Sequence, residues 1–145
     1  MRRNGRQFSG SPVILTAGQQ EQGHGLLEPL LYEPLVPVAQ PLVKWAVEVT
    51  RAADLPRILH RAAKIALTPP TGPVFLSLPG DVLDETLELD LGRPVRVVGS
   101  TRPNDATLSR FAELVLAARR PVILAGHELA RHDAFAEAAE LAERL

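Results

Sequence analysis

Short unbroken apolar runs alternate along this chain with stretches in which apolar residues recur every three or four positions. Three of the runs share one form: "SPVILTAG" (11–18), "GPVFLSLPG" (72–80) and "RPVILAG" (120–126) carry a proline at their start, pass through β-branched or large apolar residues, and stop at glycine. Runs bounded in this way predict strands buried on both faces, as in a parallel sheet. Proline is tolerated at the first strand position because the hydrogen-bond ladder has not yet begun. A fourth run, "LVKWAVEV" (42–49), also predicts a strand.

The helical spacing lies between these runs. In 53–67, Leu55, Ile58, Leu59, Ala62, Ile65 and Ala66 mark one buried face, and "TPPTG" (68–72) ends the helix. A second helix is predicted over 105–119, with Asn104 as N-cap after Pro103 and an apolar face of Leu108, Phe111, Leu114, Val115 and Ala118. A last helix begins near Asp133 and is expected to bury Phe135, Ala138, Ala139 and Leu145. Strands alternating with helices predict an α/β fold with a parallel sheet. Residues 81–103, "DVLDETLELDLGRPVRVVGSTRP", break the rhythm: they are acidic, then marked by Gly and Pro, with no helical face. They read as a linker, so the chain is expected to hold parts of two doubly wound domains. Both ends look cut, because the first clear element is a core-type strand and the last helix reaches Leu145 without a C-cap signal. Open sheet edges and marginal stability are the expected consequence.

Composition narrows the function classes. Of 145 residues, 46% are hydrophobic and 23% charged, the net charge is -1, and there is no cysteine. Disulfide and thiolate chemistry are therefore excluded, and a cytoplasmic protein is expected. No basic patch predicts nucleic-acid or membrane binding. No apolar stretch approaches the ~20 residues of a membrane span. The basic start, with Arg2, Arg3 and Arg6, reads as a solvated terminus.

Most motif-like stretches do not hold up as chemistry. "GHGLLE" (23–28) begins like a dinucleotide fingerprint, but Glu28 stands where the third glycine is needed, so it reads as a loop with glycine-permitted turns. In "HELARH" (127–132) the two histidines are one residue too far apart for a zinc helix: at ~100° per residue they would lie about 140° apart. His60 reads as a helix-flank residue, and Asp81, Asp84, Glu85, Glu88 and Asp90 as a solvated acidic face. There is no P-loop, no nucleophile elbow and no Ser/His/Asp arrangement. "TAGQQ" (16–20) remains. Ligands of open α/β sheets bind beyond the carboxyl ends of the strands, and there Gln19 and Gln20 place paired amides where a ligand or a partner subunit can sit.

The order of the pieces adds to this reading. "SPVILTAGQQ", then "LLEPLLYE", then "PLVKWAVEVTRAADLPRILHRAAKIALTPPTGPVFLSLPGDVLDE", resembles the thiamine-diphosphate-dependent decarboxylase and acetolactate synthase family, and most of all its benzoylformate decarboxylase-like members. "RPNDATLSRFAELVLAARRPVILAGHELARHDAFAEAAELAERL" looks like the opening of that family's central domain. The resemblance implies that residues 1–80 hold the second half of the pyrimidine-binding domain, 81–103 the linker, and 104–145 the start of the central domain.

It further implies a parent enzyme that uses thiamine diphosphate and Mg2+ to decarboxylate or join 2-keto acids, as a homo-oligomer (dimer or tetramer). By resemblance, Gln19 and Gln20 lie at the subunit interface near the substrate side of the cofactor, with His24 a weaker match. Lys44 and Trp45 match a structural strand. The family's activating glutamate and its metal-binding Gly-Asp-Gly…Asn segment have no counterpart here, so no catalytic, cofactor-binding or metal-binding residue is assigned. The chain is expected to be a fragment, inactive alone and a weak binder of the cofactor. The alternatives are a non-catalytic α/β interaction module that pairs through its strand edges, or a small nucleotide-binding domain that lacks the phosphate signature.

Overall fold

The structure, a computed structural model, describes residues 10–93, 96–99 and 101–145. The basic start with Arg2, Arg3 and Arg6 lies outside the described residues. The chain divides into two compact units between Gly99 and Ser100.

The first unit is a three-stranded, all-parallel sheet with helices, the α/β class expected. Strands β1 (Ile14–Gln19), β2 (Trp45–Glu48) and β3 (Val74–Pro79) stand in the order β1-β3-β2. Ile14 pairs with Val74 and Gln19 with Pro79, while Trp45 pairs with Val74 and Glu48 with Ser77. The last strand in sequence thus lies between the other two. All three carboxyl ends meet at one edge, where ligand sites of parallel sheets form.

One face of the sheet is covered by helix α2 (Leu55–Leu67). Ala62 and Ala66 pack with Val74 and Leu76, flanked by Trp45, Val47, Ile58 and Ile65. A second cluster joins Val49, Ala52 and Val82 under Leu55, Ile58 and Leu78. The spacing read from the sequence is the spacing that packs. Leu59 departs from it: 38% exposed, it falls at the margin of the stripe.

The lower end of α2 is closed by Lys44, whose Nζ donates to the carbonyls of Ile65 and Thr68, at 2.7 Å for Thr68. Burial holds the Lys44 pKa below its ordinary value. Trp45 carries the Arg61 guanidinium 5.0 Å from its ring centre.

The connections hold short elements that no periodicity announced. Helix α1 (Leu35–Ala39) runs into a 3-10 turn at Gln40–Leu42, and another 3-10 turn spans Gly25–Leu27. Each is too short to show a repeating apolar face. The acidic stretch at 81 begins inside helix α3 (Gly80–Asp84), whose Val82 is buried. Beyond it, the described residues up to 104 form no helix or strand.

The second unit contains α4 (Asp105–Leu116), α5 (Glu128–Arg131) and α6 (Phe135–Glu143). Asn104 caps α4 as expected, its Oδ1 accepting the Thr107 N–H at 2.8 Å. Helix α4 ends at Leu116 rather than at 119.

Two further expectations fail here. "RPVILAG" (120–126) forms no strand, because a strand is defined by its ladder and this segment pairs with none of the described residues. The predicted apolar faces are not buried: Phe111, Leu114 and Phe135 are more than half exposed, Ala139 and Leu145 are also exposed, and only Leu108, Val115 and Ala138 are partly covered. An amphipathic stripe is buried only when another layer faces it.

Candidate functional site

The carboxyl ends of the three strands are tied together by amide side chains. Gln19, the last residue of β1, donates from Nε2 to the Glu33 carbonyl and accepts the Gln20 N–H on Oε1 at 2.8 Å. Both ends of its amide are therefore engaged within the loop that it opens. Gln20 follows with no side-chain hydrogen bond among the described residues.

Gln22 holds the three strand exits together. Its backbone N–H donates to Asp81 Oδ1 at 3.1 Å, its Nε2 to Asp81 Oδ2 at 2.8 Å, and the same Nε2 to the Thr50 carbonyl at 3.1 Å. Gln22 leaves β1, Thr50 leaves β2 and Asp81 leaves β3. Burial alone would raise the Asp81 pKa, but the Gln22 donors and the N–H groups of Asp81 and Val82 outweigh it and hold the carboxyl below its usual value.

Asp81 is thus the clamp of the loop, not part of a solvated acidic face. Sequence reasoning missed Gln22 and misread Asp81, because the two come together only through the sheet. Asp90 instead turns its own chain, accepting the Gly92 N–H at 2.8 Å.

The loop beyond Gln22 is shaped by two glycines. Gly23 takes φ +83°, which a side chain disfavours. Gly25 is needed for space: a Cβ there would lie 2.8 Å from the Tyr32 ring. His24 sits on the outside of this loop, half-exposed, with Nδ1 3.6 Å from Glu21 Oε2.

On the face of the sheet opposite α2, Ser77 is fully buried and its hydroxyl donates to Glu48 Oε2 at 3.0 Å. The two side chains are register partners on adjacent strands. Glu48 was not singled out from sequence, where one acidic residue inside "WAVEV" carries no spacing signal.

Two open clefts flank the Gln19–Glu21 segment. One, of about 470 Å³, is bounded by Leu31, Leu78, Gly80 and Leu83; the other, of about 460 Å³, by Gln22, Gly25, Tyr32 and Glu48. Gln19 and Gln20 line both, and His24 lines neither.

In the second unit, "HELARH" gathers around the Glu128 carboxylate. His127 Nε2 lies 3.0 Å from Glu128 Oε1, His132 Nε2 lies 3.4 Å from Oε2, and Arg131 also reaches Oε1 at 3.2 Å. The two imidazoles share a carboxylate. Among the described residues no group of three or more His, Cys, Asp or Glu is arranged to hold a metal ion.

Set beside known proteins, the chain has clear relatives. It is 34% identical over 141 residues to benzoylformate decarboxylase of Pseudomonas aeruginosa, covering 95% of this chain and 27% of that one. Among solved structures, benzoylformate decarboxylase from Polynucleobacter necessarius matches with a TM-score of 0.85 and 35% identity, over 97% of this chain and 26% of that one. A thiamine diphosphate-dependent 4-hydroxybenzoylformate decarboxylase from Rhodococcus jostii matches with a TM-score of 0.69 and 32% identity, over 83% of this chain and 23% of that one.

Acetolactate synthases match as well. No known family profile matches the chain. By sequence and by fold, its homologues are benzoylformate decarboxylases and acetolactate synthases, and its neighbours among solved structures include thiamine diphosphate-dependent decarboxylases. It spans about a quarter of the length of these relatives.

The resemblance implies a thiamine diphosphate whose diphosphate is held through a metal ion. Such an ion needs several hard oxygen donors converging on one point. The described residues contain no such set, so they do not fit the diphosphate end of the cofactor.

Proposed function

We propose that this chain serves within a thiamine-diphosphate-dependent enzyme that decarboxylates or joins 2-keto acids, and that its own part is architectural. Residues 1–80 supply the second half of the pyrimidine-binding domain, 81–103 the linker, and 104–145 the opening of the central domain. The observation that carries this reading is the likeness to benzoylformate decarboxylase at a TM-score of 0.85 over 97% of the chain. The local geometry supports it: the residues at the strand tips are hydrogen-bonded into a shaped loop.

Gln19 and Gln20 are assigned to the active-site-adjacent subunit interface. Gln19 shapes the loop and Gln20 presents its amide, while His24 stays at the rim. Mg2+, a homo-oligomeric state (dimer or tetramer), lyase chemistry and a cytoplasmic location belong to the same reading. No helix among the described residues is long and apolar enough to cross a membrane.

The test is a graft. Residues 10–145 replace the matching segment of the Pseudomonas aeruginosa benzoylformate decarboxylase, and turnover of benzoylformate and of short aliphatic 2-keto acids is followed. The expected result is a folded oligomer that binds thiamine diphosphate and turns over at least one of them. A folded, cofactor-loaded graft that turns over none overturns the assignment, and so does turnover by the purified chain alone.

A further inference from the structure

The cleft between the tips of β1 and β2 contains a carboxylate that the structure has aimed. Ser77 is fully buried and its hydroxyl fixes Glu48 Oε2 at 3.0 Å. No buried side-chain nitrogen or oxygen among the described residues lacks a hydrogen-bond partner. Glu48 Oε1 has no such partner among them and is therefore not fully buried, and Glu48 is one of the residues that line the cleft.

The neighbouring polar groups divide into engaged and available. Gln19 is used by Glu33 and Gln20, and Gln22 by Asp81 and Thr50. The Gln20 amide and the Tyr32 hydroxyl remain to face an occupant, and the close approach of Gly25 holds the Tyr32 ring in place. No lysine or arginine lines the cleft, whose charged residues are Glu21 and Glu48.

This inventory selects the charge and shape of what fits. A carboxylate ligand would meet like charge with no cation to offset it, which opposes binding. A divalent metal would find one well-placed carboxylate and amides, too few hard donors. A planar N–H cation satisfies every available group: two N–H bonds can reach the carboxylate, whose oxygens each accept more than one, and the rest can reach the Gln20 carbonyl oxygen. The Tyr32 ring offers such a cation a face to lie on.

We infer that this cleft recognises an amidinium or guanidinium group, with Glu48 as its acceptor and Ser77 as the residue that positions Glu48. The carboxylate end of a 2-keto acid is not what it holds. The inference stands on the strand-tip geometry alone, so the graft described above can fail while the cleft still binds its cation, and the reverse.

The source of the cation is either a small molecule or an arginine of a second copy of this chain, and the test separates them. Benzamidinium and benzoylformate share a phenyl ring and carry opposite charge. Each is titrated into the full chain at constant ionic strength, and backbone amide shifts at Gln20 and around Glu48 are followed. Benzamidinium is expected to shift them saturably and benzoylformate to leave them in place.

Glu48→Gln is expected to weaken benzamidinium by about tenfold or more, the usual loss for a charge-assisted hydrogen bond. Ser77→Ala keeps the charge and is expected to lose less. Sedimentation reads the second source. If the chain self-associates and benzamidinium or Glu48→Gln dissolves the association, the cation is an arginine of a second copy. If it is monomeric and binds benzamidinium, the cation is a small molecule. The inference is overturned if benzamidinium neither shifts these amides nor alters association, if benzoylformate binds equally well, or if folded Glu48→Gln and Ser77→Ala chains both behave as the parent.

Discussion

Gln22 and Asp81 stand 59 positions apart, yet two hydrogen bonds join them and fix the loop that leaves β1. Because the folded Asp81 pKa lies below its ordinary value, this contact is fully present above the usual carboxylate range near ~4 and is lost as the pH falls through the depressed folded value. The Gln22 amide resonances are therefore expected to move only as the pH falls below the ordinary carboxylate range, and Asp81→Asn to remove that transition, as read by two-dimensional NMR. Lys44 makes a different prediction. Its ammonium satisfies the Ile65 and Thr68 carbonyls at the end of α2. Lys44→Met is expected to destabilise the first unit by about 1 kcal/mol, because the part-buried Ile65 carbonyl loses its donor while the Thr68 carbonyl can turn to water. The midpoint of urea unfolding, at unchanged slope, checks this. Spacing along the chain shows none of these partnerships.

Among the elements, β3 carries the most. It pairs with both other strands, and its Val74 and Leu76 are wholly buried. Leu76→Ala is expected to cost about 2–5 kcal/mol, enough to unfold the first unit if its margin is small. Thermal denaturation by circular dichroism measures it. By contrast β1, with Ile14 at 38% and Leu15 at 47% exposure, presents an open edge although its sequence reads as a core strand. The contrast has a plain cause: apolar composition states what a strand requires, while burial depends on which neighbours are beside it. Helix α2 was legible because its face is long enough to repeat, whereas α1 and the 3-10 turns are each shorter than two helical periods and show no repeat. Asn104→Ala is expected to weaken α4 by about 1 kcal/mol through loss of its cap. The β3 core should not respond.

For the molecule as a whole, the two units differ in what encloses them. The first has two buried clusters, whereas none of the described residues from 101 to 145 is fully buried. Stability therefore cannot be uniform along the chain. Amide hydrogens of α4, α5 and α6 are expected to exchange far faster than those of β3 and α2, and limited proteolysis to cut within 101–145 first. Hydrogen-exchange mass spectrometry reads both units in one sample. Equal protection in the two would refute this.

By itself the sequence determined the α/β class, three of the four predicted strands, the helices expected over 53–67 and 105–119 and found at Leu55–Leu67 and Asp105–Leu116, the Asn104 cap and the kinship with thiamine-diphosphate-dependent enzymes. All of these follow from local periodicity, from turn residues, or from motif order that a linear chain displays. Only the tertiary structure decided that β3 runs between β1 and β2, that Gln22 clamps Asp81, and that Ser77 holds Glu48 at the side of a cleft. It also decided that "RPVILAG" pairs with nothing among the described residues. The reason is physical. A period of two or of 3.6 residues marks a face, but a hydrogen bond between residues 29 or 59 positions apart exists only after the sheet has brought them together.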